Sequence, residues 1–275
     1  MWSRRRVWWL LLPVGFWFLF FLVVPLVFVV WESIRGEIGL DWSAYTRVFT
    51  RKLYRESLKN SFLLSISTTL LGTLIGLPLS YALYRTDPKT KEVFLALLAL
   101  PLTFSGLVIA YAFIILLGNS GFITILLSRL FGIDTLEFSS FLFTWRGLVV
   151  AYLYFLIPRM ILVMIAAWSE VDWSLLEAAE ILGMERIKAF FRVIFPLVRP
   201  SLLAGSSLLF AVSMGAFGTA FALVGTGVNI MPLLIYTQMS EISVNLQEAN
   251  ALAVVLVLVT TAIVVLYERT FARRF

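Results

Sequence analysis

Hydrophobic and polar positions divide the chain into six long apolar runs separated by polar stretches. The runs cover residues 7–31, 57–84, 93–117, 145–168, 201–224 and 249–267. Each comes close to or exceeds the roughly twenty residues a helix needs to cross the hydrocarbon layer. Lipid offers backbone groups no hydrogen-bond partners, so only helices or closed barrels span it. The runs are continuous rather than alternating, which excludes a barrel. The pattern therefore predicts an all-α membrane protein whose residues 1–275 form one transmembrane domain. The first run, behind Arg4, Arg5 and Arg6, opens like a signal peptide. It is too long for a signal core and lacks a small-x-small cleavage site, so an uncleaved first helix is expected.

The polar stretches carry their own order. Residues 169–200, SEVDWSLLEAAEILGMERIKAFFRVIFPLVRP, read as two short helices with a hinge. Ser174 and Glu177 have capping-box spacing, which predicts a helix starting at Ser174. Leu175, Ala178, Ala179 and Leu182 fall at i, i+3, i+4, i+7 and predict its apolar face. Gly183 supplies a left-handed helix end. In the second arm Ile187, Phe190, Phe191 and Ile194 form an apolar face, and Pro196 and Pro200 are expected to stop or bend the helix. Elsewhere, Pro101, Ser105 and Gly106 should bend or open the third span, and Gly121–Phe131 reads as a helix too short to cross.

Composition narrows the chemistry. The chain is 61% hydrophobic and 14% charged, and no polar run is long enough for a soluble domain. It has no cysteine and no histidine, which removes disulfides, thiol chemistry and the commonest metal ligand and general base. An enzyme is not expected, nor a cofactor or metal held by this chain. The net charge of +6 does not imply a nucleic-acid partner, because the basic residues sit at the ends of apolar runs as topology signals. Of 22 Lys and Arg residues, thirteen fall with the termini, the 85–92 loop and the 169–200 stretch, eight fall on the other side, and the last is Arg159. That bias puts both termini in the cytoplasm. Arg47, Arg51, Lys52 and Arg55 run against it, and the sequence suggests only an interfacial helix facing lipid headgroups or a partner.

Two groups of residues are candidates for a translocation path. Arg159 is the one charge well inside a run, which marks it as functional unless it snorkels or pairs with another subunit. The fifth run carries Ser213, Phe217 and Thr219 among Gly215 and Gly218, where helix packing alone would also account for the glycines. Carboxylates are missing from the runs: Glu32, Glu241 and Glu248 lie only near the outer ends.

Glu177-Ala178-Ala179, three residues, Gly183, nine residues, Val193, one residue, and Phe195-Pro196 together resemble the EAA loop of permease subunits of binding-protein-dependent ABC importers. Val and Phe replace the usual Ile and Leu, and the spacing is kept. Residues 58–61 and 78–85 are similar to the entry and exit of the same family's core. The resemblance implies a MetI-like fold of six transmembrane helices with a cytoplasmic coupling hairpin. It also implies a prokaryotic inner-membrane location and ATPase coupling through Glu177, Ala178, Ala179, Gly183 and Pro196. ATP and Mg would be bound by separate ABC ATPase subunits, consistent with the missing GxxxxGK[ST] loop. A second permease, more often a different chain than a copy, and an extracytoplasmic solute-binding protein are the other implied partners, with membrane lipid around them. Phe217–Ala220 through Pro232–Tyr236 is most similar to permeases for spermidine/putrescine-type uptake, with ferric iron, phosphonate and thiamine groups beside it. An ATP-independent channel or secondary transporter is the alternative class.

Overall fold

The computed structural model describes residues 4–36, 39–225, 227–240 and 245–272; Glu241 lies outside them. Six helical stretches among these are long and apolar enough to cross a membrane: Leu12–Ile34, Lys52–Tyr84, Gly106–Phe131, Trp145–Ser169, Arg186–Gly215 and Leu246–Arg269.

Helix α1 (Arg4–Ile34) passes through a short antiparallel ladder, β1 (Arg35–Gly36) with β2 (Gly39–Leu40), into α2 (Ser43–Thr50) and α3 (Lys52–Tyr84). The carboxylate of Asp87 accepts the Thr90 N–H at 3.0 Å and starts α4 (Pro88–Thr103), with Pro88 in the first turn where no N–H is needed. Next come α5 (Gly106–Leu117), α6 (Phe122–Phe131), α7 (Thr135–Ser140) and α8 (Trp145–Ser169). The polar hairpin holds α9 (Ser174–Ile181) and α10 (Arg186–Ala189), and a π-helical turn over Phe190–Ile194 leads into α11 (Phe195–Gly215). The chain closes with α12 (Gly218–Val224), α13 (Met231–Met239) and α14 (Leu246–Ala272).

Helix α8 is the centre of the core. Tyr152, Leu156, Met160 and Met164 follow one another at intervals of four and are fully buried, forming a ridge against α3 and α11. The small residues of α3 let that ridge approach: a Cβ on Gly76 would stand 2.8 Å from the Met160 Cβ. Hydroxyl pairs tie α3 to α11, Thr68 to Ser213 at 2.9 Å and Thr73 to Ser206 at 3.1 Å. In contrast, every side chain of α1 from Leu12 to Phe28 is exposed.

Two spans differ from the apolar runs. The third is broken at Phe104 and Ser105 between α4 and α5, and its longest apolar helical stretch is displaced to Gly106–Phe131. Pro101 contributes no N–H, and the Ser105 hydroxyl accepts the Val108 N–H at 3.4 Å to begin α5 afresh. The fifth starts far earlier than residue 201, because α10, the π turn and α11 run on as one stretch from Arg186. It then breaks at Ala216 and Phe217, between the glycines that open α12 and close α11. A prolyl ring at 196 would clash with the Arg192 carbonyl in an ordinary α-helix. The π turn just before it, with the Phe195 N–H bonded back to Phe190, widens the helix there. Of the two expected outcomes, stop or bend, Pro196 and Pro200 therefore do not produce the stop.

Candidate functional site

At the hairpin, Ser174 is not the cap. The helix starts at Ser174 as expected, but the Asp172 carboxylate accepts the Ser174 N–H at 3.0 Å, and Glu177 is exposed without reaching back. A carboxylate beside the positive end of a helix is a stronger acceptor than a hydroxyl, so Asp172 takes the role two residues earlier. Hydrogen bonding from the Ser174 hydroxyl and N–H holds the Asp172 carboxyl below its ordinary range.

Gly183 ends α9 in the left-handed region, with φ +86°. The Met184 N–H reaches the Ala179 carbonyl at 3.1 Å and the Gly183 N–H the Glu180 carbonyl at 2.9 Å. These are the two bonds of a Schellman turn, which a β-branched residue would strain. An ion pair of 3.6 Å between Arg186 and Glu180 spans the two arms.

The buried face of the hairpin is rotated from the expected one. Leu176, Ala179, Ala189 and Ile194 face the membrane core, whereas Leu175 and Ala178 are exposed and Leu182 is 87% exposed. In the second arm Ile194 is buried and Phe190 half-buried, while Ile187 and Phe191 point out. Helical spacing alone could not decide which of two overlapping apolar stripes meets the core. The inner stripe is set on an aromatic base. Tyr81 packs edge-on against Trp168 at 5.3 Å and Phe190 at 5.5 Å, and Tyr84 stacks on Trp173 at 5.8 Å. Indole N–H groups lock it: Trp168 donates to Ser80 at 3.1 Å and Trp173 to Tyr84 at 2.9 Å. One face of the hairpin is thus fastened to α3 and α8, and its apolar tip, Ile181, Leu182 and Ile187, is bare.

Further along the chain, both helix breaks open onto one cavity of about 280 Å³. Arg159, Phe217 and Thr219 line it together, with Pro101, Phe104 and Phe155. Irregular backbone at membrane depth is tolerated where it is buried or lines a polar space. Two carbonyls beside the breaks are engaged: Tyr152 donates its hydroxyl to Ala216 at 2.6 Å and Thr219 to Gly106 at 3.0 Å. Arg159 donates to the Phe155 carbonyl at 2.8 Å and lies 5.4 Å from that ring's centre. Ser213 does not join them. It is buried against Thr68 between α3 and α11, so packing accounts for it. Phe155, Phe104 and the α5 start escape sequence reasoning because only tertiary structure brings the two breaks together.

The outer end holds a group that the sequence left without an account. Glu248 at the start of α14 is 1% exposed and pairs with Arg47 and with Arg51, the latter at 3.1 Å. The Tyr54 hydroxyl donates to the same carboxylate, and Asn245 caps the Glu248 N–H at 3.1 Å. Arg47, Arg51 and Tyr54 are spaced at i, i+4, i+7, a periodicity visible in the sequence. Their partner lies nearly two hundred residues away. Among the described residues no group of three or more His, Cys, Asp or Glu is placed to hold a metal.

Residues 68–275 match the model of the binding-protein-dependent transport system inner membrane component family. The chain is 30% identical over 260 residues to the spermidine/putrescine transport system permease protein PotB of Haemophilus influenzae, covering 92% of this chain and 90% of that one. It is also 30% identical over 249 residues to the putative 2-aminoethylphosphonate transport system permease protein PhnU of Salmonella typhimurium, covering 86% and 82%. Among solved structures, a bacterial ABC transporter involved in the import of the acidic polysaccharide alginate superposes with a TM-score of 0.77. It has 17% identity and covers 97% of this chain and 95% of that one. The same transporter type in complex with an alginate pentasaccharide-bound periplasmic protein gives 0.74 at 20% identity, covering 97% and 94%. These matches leave the ATP-independent channel or secondary transporter without support. The chain belongs to the inner membrane components of binding-protein-dependent transport systems and is a multi-pass permease subunit of an ABC importer.

Proposed function

We propose that the hairpin couples ATP hydrolysis on partner subunits to movement of the membrane helices. The observation that carries this is the division of its surface: an aromatic base fastened to α3 and α8, and a bare apolar tip at Ile181, Leu182 and Ile187. Roughly thirty residues cannot hold such a tip rigid alone; docked on the core, they can pass a push to α8 and, through the π turn, straight into α11. In this reading ATP and Mg sit on two ABC ATPase subunits and this chain is non-catalytic. A second permease, different in sequence, encloses the path with it. An extracytoplasmic binding protein delivers the solute, and the termini, the 85–92 loop and the hairpin face the cytoplasm. Relatives named for spermidine/putrescine and for 2-aminoethylphosphonate support a small, amine-bearing solute.

Gly183→Val tests the coupling. Nothing lies within 4 Å of a Cβ at that position, so insertion and packing should survive, while the left-handed turn should not. The assembled transporter in proteoliposomes is expected to keep hydrolysing ATP and to lose most solute uptake. Full uptake by this variant would overturn the coupling role.

A further inference from the structure

We infer that the Arg159 cavity binds an oxyanion carried by the transported solute, a phosphonate, phosphate or carboxylate group. The cavity counts as path only if the chain is an importer permease, so this assignment rests on the function proposed above.

The wall carries one cation and no carboxylate. A guanidinium has five N–H donors in a planar fork, and the Phe155 carbonyl occupies one nitrogen. Arg159 makes no ion pair among the described residues, and no carboxylate lines the cavity. Two backbone carbonyls beside the breaks, Ala216 and Gly106, already accept the hydroxyls of Tyr152 and Thr219. An ammonium entering here would meet a like charge and no carboxylate. An oxyanion would meet an unneutralised fork whose geometry suits two parallel hydrogen bonds. At the outer end of the same protein Arg47 and Arg51 share the buried Glu248. Arg159 is left without such a partner inside a span, where an unpaired charge is costly unless a partner arrives. The cavity of about 280 Å³ has room for the head of a small solute.

The test uses the assembled transporter with its binding protein in proteoliposomes, with labelled 2-aminoethylphosphonate and putrescine as probes. The solute released from the purified assembly by denaturation is identified by mass spectrometry. Expected are an oxyanion-bearing native solute and ATP-driven 2-aminoethylphosphonate uptake. That uptake should fall roughly tenfold or more in Arg159→Gln and recover in part in Arg159→Lys, with ATP hydrolysis retained in both. Uptake of 2-aminoethylphosphonate unchanged in Arg159→Gln overturns the assignment. So does a native solute that carries no oxyanion, such as a free polyamine, and either result leaves the importer reading standing. A lipid phosphate filling the cavity would make Arg159→Gln slow both probes alike, which also overturns it. Uptake that needs no ATP would instead remove the importer reading itself.

Discussion

Glu248 and Arg159 are both ionisable groups inside the helical body, and the protein treats them in opposite ways. Glu248 is 1% exposed and receives two guanidiniums, a phenol and an Asn245-capped backbone. Arg159 is half-buried, receives one carbonyl and faces a cavity. A buried charge whose hydrogen bonds are all made is a fastener: here it pins α2 and the start of α3 to α14. A charge whose donors are left open, in a protein that satisfies the neighbouring carbonyls, marks a place kept for something else. The hairpin repeats the contrast with apolar surface. Its inner stripe is closed against tryptophan and tyrosine, and its tip is open.

The largest way to break this comparison is Glu248→Ala. Removing one partner of a buried pair leaves the other charges uncompensated, at about 3–5 kcal/mol, discounted here because Arg51 is half exposed. The thermal unfolding temperature in detergent should drop clearly. Arg159→Gln should change that temperature little, since no ion pair is lost; a drop as large as that of Glu248→Ala would make Arg159 a fastener too. Truncating the guanidiniums sharpens the outer cluster. Arg47, the less exposed at 31% against 52% for Arg51, should matter more, with Arg51→Ala at about 1 kcal/mol or less.

The smallest effect concerns the hairpin's first turn. The folded Asp172 pKa lies below the ordinary aspartate value of 3.8, so its cap contributes fully above that value and is lost as pH falls through the lower folded value. Transport-coupled ATPase measurements above pH 5 should therefore show no step from this group, and Asp172→Asn should leave the neutral-pH rate nearly unchanged. A step near neutrality that Asp172→Asn abolishes would contradict the assignment.

Much of this was legible in the residues. Continuous apolar runs gave the number of spans because lipid leaves the backbone no other solution. Gly183 gave the hairpin turn because a left-handed helix end favours glycine. Legibility ended where two local solutions compete. Ser174 and Asp172 both suit a cap, and the stronger acceptor won. Leu182 and Leu176 both suit a buried stripe, and the aromatic base chose Leu176. Pro196 looks like a stop until a π turn makes room for it. Long-range partners were beyond reach: nothing in the sequence around Arg47 and Arg51 points to Glu248, or sets the two helix breaks across from Arg159.

The hairpin tip offers the most direct test of the whole account, because the chain contains no cysteine and a single one at Leu182 is unambiguous. Leu182→Cys in the assembled transporter should crosslink, through a short thiol-reactive linker, to a separate subunit carrying an ATP-binding GxxxxGK[ST] loop, identified by mass spectrometry. Crosslinks that form only within this chain or to another membrane subunit, with the ATPase present in the preparation, would contradict the coupling role of the hairpin.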